Sequence, residues 1–331
     1  MKSPAIRVRK SEAERIRREL SEKGLINSDL KPARDGGYVI IPVKSRVEGH
    51  ENLVFDFEER EKRVRYPDIA EVPEHLKGLL PSSFDVIGDV VIIKIPDELR
   101  DYRYEIGKAI LRSLPSARIV AEDKGVKGEY RVRDLEIIAG EGSTETMHRE
   151  YGIRLKVDPA KVYFSPRLAN EHRRIAELVE DGEEIIDMFS GVGPFSIMIA
   201  KLKRVHIYAI DLNPEAIRYL EENIRLNNVG GVEAINADAR FIVRSLTADR
   251  IIMNLPHSAI HFFEDALSAV DDGYIHYYEI IEDEKAKDRI KDLKEMGKDA
   301  GKSVNLERMI RIRNYAPGIG HYVWDLKVKE E

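Results

Sequence analysis

Asp187-Met188-Phe189-Ser190-Gly191-Val192-Gly193-Pro194-Phe195 lies between two apolar runs, Glu184-Ile185-Ile186 before it and Ser196-Ile197-Met198-Ile199-Ala200 after it. Short apolar run, glycine turn and longer apolar run read as buried strand, tight turn and helix, the opening unit of a nucleotide-cofactor fold. Gly191 and Gly193 carry no Cβ, so the backbone can turn sharply there and come close to a ligand. The acid at the strand end sets the charge of that ligand. A dinucleotide would bring its pyrophosphate to this helix N-terminus, where Asp187 would repel it. The amine of a methionine moiety suits Asp187, so S-adenosylmethionine is the expected cofactor rather than NAD.

The next elements repeat the pattern. His206-Ile207-Tyr208-Ala209-Ile210 reads as a second strand with Asp211 at its end, 20 residues after Gly191. An acid at that spacing accepts hydrogen bonds from ribose hydroxyls. Asn213-Pro214 opens a helix, Glu233–Asn236 is a third strand followed by Asp238, and Arg250–Met253 is a fourth, ending in Asn254-Leu255-Pro256-His257. Asp187, Asp211, Asp238 and Asn254 are thereby expected on one edge of a parallel sheet, where ligands of such folds bind. A fifth strand at 274–280, a charged helix at 283–298 and an antiparallel pair at about 303–313 and 321–328 complete an α/β, Rossmann-like domain of the class I methyltransferase type.

The chain of 331 residues is long enough for two or three domains. With 43% hydrophobic and 34% charged residues it has the composition of a soluble globular protein. No run reaches the length of a membrane span, MKSPAIRVRK lacks the apolar core of a signal peptide, and a cytoplasmic location is expected. There is no cysteine, which excludes disulfides, thiolate metal sites and cysteine nucleophiles. The nine histidines show no paired ligand spacing, so no metal site is expected. A net charge of −6 argues against nucleic acid only until its distribution is read. Residues 1–23 hold eight basic side chains against four glutamates, whereas 177–184 (ELVEDGEE) holds five acids and no base.

Ser11 and Glu14 form an apparent capping box at the start of a first helix that ends at Gly24. With the strand-like Tyr38–Val43 they make residues 1–66 a small N-terminal α/β domain. A second α/β domain is expected over 67–160. Its strands are placed at Gly88–Ile95, Arg118–Ala121, Leu135–Ala139 and Ile153–Val157, its helix at Arg103–Leu114, and a basic two-glycine loop at Lys124–Arg133. The cofactor domain occupies 161–331.

Several stretches together resemble the archaeal and eukaryotic tRNA (guanine-N1)-methyltransferases that act at tRNA position 37. These are SSFDVIGDVVIIKIP (82–96), GEYRVRDLEIIAGE (128–141), MHREYGIRLKVDPAKVYFSPRL (147–168), DMFSGVGPFSI (187–197) and IIMNLPH (251–257). The resemblance implies methyl transfer from S-adenosylmethionine to N1 of guanosine 37. Glu171 would be the general base that removes the N1 proton. Arg131 would stabilise the charge that grows on O6, and Asn254 and Pro256 would hold the base. Tyr163 and Arg167 would line the pocket of a nucleotide flipped from its stack. His172 and Arg173 stand where the family commonly begins with an arginine, so the grip on the nucleotide is expected to differ there. The cofactor-contacting set is expected to be Asp187, Phe189, Gly191, Asp211, Leu212, Asp238, Asn254, Pro256 and Arg167. His257 replaces the aromatic common in enzymes that methylate exocyclic amines, which favours a ring-nitrogen target. The implied partner is tRNA, contacted at the anticodon loop and, through the N-terminal domain, at the outer corner, by a monomer.

Four other readings are open to the same sequence. One is an aminocarboxypropyl transferase of the wyosine pathway, and a second is a bifunctional enzyme that also methylates a wyosine intermediate. A third is a non-catalytic tRNA-binding protein, which the intact set of strand-end residues opposes. A small-molecule methyltransferase would leave two N-terminal modules without a purpose.

Overall fold

The computed structural model describes residues 1–60, 64–128, 130 and 132–330. The chain divides into two compact units, Met1–Asp68 and Ile69–Glu331.

The first unit contains β1 (Lys2–Arg9), α1 (Ala13–Glu22), β2 (Ala33–Asp35), β3 (Tyr38–Pro42) and β4 (Glu51–Asp56). The strands form an antiparallel sheet in the order β2-β3-β1-β4. Alternation along β1 sends Ile6 and Val8 toward Ile16 and Leu20 of α1, and Ala5 toward Leu30, Ile40 and Phe57 on the other face. The expected capping box does not form. α1 starts after Glu12 without a side-chain cap, because the Glu14 carboxylate accepts two hydrogen bonds from Arg17, at 2.9 and 3.1 Å, instead of reaching back to Ser11.

A short helix, α2 (Tyr66–Ile69), leads to β5 (Asp85–Ile87), β6 (Val90–Ile93), α3 (Arg103–Ser113), β7 (Ile119–Lys127), β8 (Val132–Gly140), β9 (Thr146–Glu150) and β10 (Ile153–Val157). The sheet order is β5-β6-β7-β8. The strand expected over 88–95 is β6, shortened to Val90–Ile93, and its first two residues form the turn that joins it to β5. Gly88 makes that turn with φ +57°, and a Cβ there would lie 2.2 Å from Thr146 Oγ1. The basic segment expected as a loop is largely the β7–β8 hairpin, with a register shift between Asp123 and Val126.

The rest of the chain runs α4 (Ala169–Leu178), β11 (Glu184–Asp187), α5 (Pro194–Leu202), β12 (His206–Asp211), α6 (Pro214–Asn227), β13 (Val232–Asn236), α7 (Ala239–Val243), β14 (Arg250–Met253), α8 (Phe263–Ser268), β15 (Asp272–Glu282), α9 (Arg289–Asp299), β16 (Lys302–Ala316) and β17 (Ile319–Glu330). These strands form one sheet in the order β13-β12-β11-β14-β15-β17-β16. The first five are mutually parallel, and β17 is antiparallel to both its neighbours. Consecutive residues of β11 feed opposite cores. Ile185 packs with Ile175, Ile197 and Leu220, and Ile186 with Val243, Phe263 and Trp324. The first core continues through Ile87, Val90, Ile119 and Leu155, so the middle segment shares it with the cofactor domain. Asn223 and Asn227, one turn apart on α6, accept hydrogen bonds from Lys156 N at 2.7 Å and Arg154 N at 2.8 Å, which fixes β10 against the helix. The helix expected from 283 begins only at Arg289. Asp283 is held instead to the last hairpin, its N–H on Gly318 O and its carboxylate on Arg311 and Tyr322.

Candidate active site

The carboxyl ends of β11 to β14 open into a cavity of about 750 Å³. Gly193 caps α5 with φ +87°, where a Cβ would meet Leu220 Cδ1 at 2.3 Å. Asp211 accepts from Gly191 N and Asn213 N, both at 2.8 Å, and so ties the glycine turn to the end of β12. Asp187 is fully buried behind that turn. Its Oδ2 accepts from the Ser196 hydroxyl at 2.7 Å, and its Oδ1 has no partner. Burial pushes this carboxyl up to about 7, against the Ser196 bond and with the help of the Asp211 charge. Asp238 caps α7, and its bonds to Arg240 hold its pKa low. Asn254 stands at the end of β14 with its Oδ1 buried and unpartnered.

Asp211, Leu212, Asp238, Asn254, Pro256 and Phe189, all named from the sequence, line the cavity. Tyr163 and Arg167 line it from the segment before α4. Arg167 Nε lies 2.7 Å from Asp85, which also holds Arg133 at 2.9 Å. Arg131 lies outside the described residues.

Asp187, Gly191, Glu171, His172 and Arg173 are not among the lining residues. His172, expected on the substrate side, is 1% exposed, with Nδ1 bonded to Glu150 at 2.7 Å and its ring edge-on to Phe195. Arg173 turns outward onto Glu177 and the Tyr151 ring. Glu171 is buried, and both its oxygens accept from Arg174 at 2.7 and 2.9 Å. Oε1 also accepts from the Tyr278 hydroxyl at 2.7 Å. Arg174 continues to Asp325, which accepts from His276 Nδ1 at 2.6 Å. His276 meets Arg250, and Arg250 ends on Glu183. Burial opposes the charge of Asp325, yet His276 and Arg174 hold its pKa down to about 2. A line of charged and polar groups thus crosses under the sheet from Glu171 to Glu183.

Sequence reasoning singled out the basic stretch Lys124–Arg133 but named few residues of the wall facing the strand ends. Lys94, Asp123, Tyr130 and Arg133 come from the middle segment, and Arg313, Asn314 and Tyr315 from the last hairpin. The usable signal was aromatic residues among basic ones, as in Tyr130-Arg131-Val132-Arg133 and Arg311–Tyr315. Tyr130, Tyr163 and Tyr315 are each more than 40% exposed, a supply of stacking surfaces at the mouth.

Orphaned acceptors on Asp187 and Asn254, acidic strand ends and a cavity of this volume fit a cationic nucleoside such as S-adenosylmethionine. Together with the sheet order they define a class I S-adenosylmethionine-dependent methyltransferase. Residues 146–306 match the TRM5/TYW2 methyltransferase domain, 69–144 the TYW2 N-terminal domain and 5–51 the tRNA methyltransferase 5 N-terminal domain. The chain is 45% identical to tRNA (guanine(37)-N(1))-methyltransferase Trm5b of Pyrococcus abyssi over 98% of both chains. It superposes on aTrm5 from its complex with tRNALeu with a TM-score of 0.70 and 37% identity, covering 98% of this chain and 99% of that one. It is also 35% identical to the tRNA(Phe) (4-demethylwyosine(37)-C(7)) aminocarboxypropyltransferase of Pyrococcus horikoshii, over 80% of this chain and 96% of that protein. The chain belongs to the Trm5-type family of tRNA (guanine(37)-N(1))-methyltransferases. Among the described residues no helix is long and apolar enough to cross a membrane, and no cluster of side chains could hold a metal ion.

Proposed function

We propose that this chain methylates N1 of guanosine 37 in tRNA with S-adenosylmethionine as donor. The observation that carries this reading is the cavity itself. Acidic strand ends that suit a cationic nucleoside face a wall of arginines and exposed tyrosines that suits a flipped base, with Asn254-Leu255-Pro256 between them. S-adenosylmethionine supplies, when bound, an electrophilic methyl carbon. Asp211, Asp238, Phe189 and Leu212 would hold its nucleoside part, and Asp187 and Gly191, which lie just behind the lining residues Met188 and Phe189, would set the charge and shape of its amino-acid end.

The remaining chemistry belongs to the protein. Asn254 offers its amide to the guanine edge, and the Pro256 segment is fixed by its carbonyl accepting from Ile280 N at 2.8 Å. Tyr163 and Arg167 flank the base. As N1 bonds to the methyl carbon, its proton passes to the Glu171 carboxylate and the electrons of the carbon–sulfur bond return to sulfur. The role of offsetting the negative charge that gathers on O6 falls to Arg131 by resemblance to the family alone. Glu171 lies one helical turn past Arg167, with its carboxylate fixed by Arg174 and Tyr278. It serves as the base by turning from that pair toward the cavity when RNA binds. Of the three sequence segments 1–66, 67–160 and 161–331, the first binds the tRNA outer corner and the others the anticodon loop, in a monomer.

The test uses tRNA transcripts with G at position 37 and S-adenosylmethionine labelled on either the methyl or the carboxyl carbon. Methyl label recovered as 1-methylguanosine is the expected result. Carboxyl label in the RNA overturns the reading in favour of aminocarboxypropyl transfer. Methyl label that appears only on RNA already carrying a wyosine intermediate overturns it in favour of wyosine methylation.

A further inference from the structure

The arginines of the cavity wall are almost all neutralised by carboxylates. Arg133 and Arg167 share Asp85, and Arg240 holds Asp238. Arg313 is the exception. Its Nε is buried without a hydrogen-bond partner, and among the described residues it makes no ion pair. Directly across the strand pair from it is His321, which in turn lies opposite Ile280 of β15. Cross-strand partners share a face, and Ile280 and Arg313 both line the cavity. His321 is 1% exposed, and neither of its ring nitrogens has a partner.

Buried polar atoms are satisfied as a rule. Three unsatisfied nitrogens on two facing residues, one of them a permanent cation, describe a place prepared for an acceptor with negative charge. Burial and the nearby charges of Arg313 and His257 push the His321 pKa down to about 4, as expected where positive charge has no counter-ion.

Two anions are available under the proposed reaction, the carboxylate of the cofactor and a phosphodiester of the RNA. Position favours the second. The strand order from the glycine turn is β11-β14-β15-β17-β16. At the usual strand spacing β16 therefore lies roughly 19 Å from β11, on the side of the cavity away from the acidic strand ends. We propose that Arg313 and His321 form an anion subsite on the hairpin wall, and that it holds a backbone phosphodiester of the substrate RNA beside the methylated nucleotide. This rests on the reading of the chain as an RNA methyltransferase. Arg313 supplies the charge, and His321, buried and not itself a lining residue, backs it from across the strand pair with its ring nitrogens free to orient the site.

The experiment measures tRNA binding to the wild type, Arg313→Gln and Arg313→Lys across a salt series, with S-adenosylhomocysteine binding measured separately without RNA. The expected result for Arg313→Gln is tRNA affinity weaker by roughly 10-fold, a salt dependence shallower by about one released ion, and S-adenosylhomocysteine affinity unchanged. Arg313→Lys keeps the salt dependence and recovers part of the affinity. Unchanged tRNA affinity and salt slope in Arg313→Gln overturn the subsite. So does a selective loss of S-adenosylhomocysteine binding, which would assign the anion to the cofactor. Formation of 1-methylguanosine by the wild type is scored on its own. A wild type that binds tRNA through Arg313 but makes no 1-methylguanosine therefore removes the methylation reading and leaves the subsite standing.

Discussion

Asp187 is buried at the end of β11, behind the glycine turn, with one oxygen unpartnered and its pKa pushed up to about 7. Its folded value lies above the usual carboxylate value, so folding favours the protonated form. The ligand-free protein should therefore lose stability as pH rises from about 4 through about 7, by on the order of 4 kcal/mol across the window. A cationic amine that reaches this carboxylate reverses the preference. Cofactor affinity should rise with pH over the upper part of that window. Asp187→Asn should melt higher than the wild type at pH 8 without ligand, yet bind S-adenosylhomocysteine more weakly. Thermal scans and calorimetry at two pH values check both. Glu171 calls for a different substitution. Alanine would leave Arg174 buried beside a void, at a cost of several kcal/mol, whereas Glu171→Gln keeps the volume and one acceptor. Glu171→Gln should slow single-turnover methyl transfer by about 10²–10⁴-fold with S-adenosylhomocysteine affinity little changed. An unaltered rate would remove Glu171 as the base.

At the level of elements, the glycine turn separates two demands on the backbone. Gly191 has φ +54°, with its nearest neighbour, Tyr163 O, at 3.7 Å from a would-be Cβ, whereas Gly193 has φ +87° and a clash at 2.3 Å. Gly191→Ala should cost about 1 kcal/mol of left-handed strain. Gly193→Ala adds overpacking against Leu220 and should cost about 3 kcal/mol or more. Denaturant titration ranks them. The same turn shows what a sequence declares about itself. Four of the five parallel strands were legible because each is a short stretch with apolar residues closed by a polar one, and the fifth and the final hairpin because they follow in the expected order. β9 was not legible. Thr146–Glu150 alternates no apolar residues, and it is a strand because β10 pairs with it. The need for glycine at position 88 was hidden, since the atoms that a Cβ there would meet belong to Thr146 and Met147, 58 and 59 positions away.

On the scale of the molecule, the described site is the work of distant segments. The strand-end half, Asp211 to Pro256, could be read from local motifs. The facing half could not, because the β7–β8 and β16–β17 hairpins reach the cavity through sheet register, which no local pattern encodes. The position of His172 was hidden for the same reason, since its partner Glu150 comes from β9. The division after Asp68 gives a prediction of this scale. The aminocarboxypropyltransferase relative spans 80% of this chain and nearly all of its own length, so residues 69–331 are expected to fold alone. That fragment should bind S-adenosylhomocysteine like the full chain, while KM for tRNA rises; circular dichroism, calorimetry and steady-state kinetics check the three parts. The polar line from Glu171 through Arg174, Asp325, His276 and Arg250 to Glu183 also acts as a whole. Removal of one member strands a buried charge on the next, so the penalties are strongly non-additive. In descent, such a line is inherited as a block. A single step that keeps volume and an acceptor, as Glu171→Gln does, leaves the line standing, whereas one that deletes a member strands a buried charge, so wholesale replacement calls for several substitutions together.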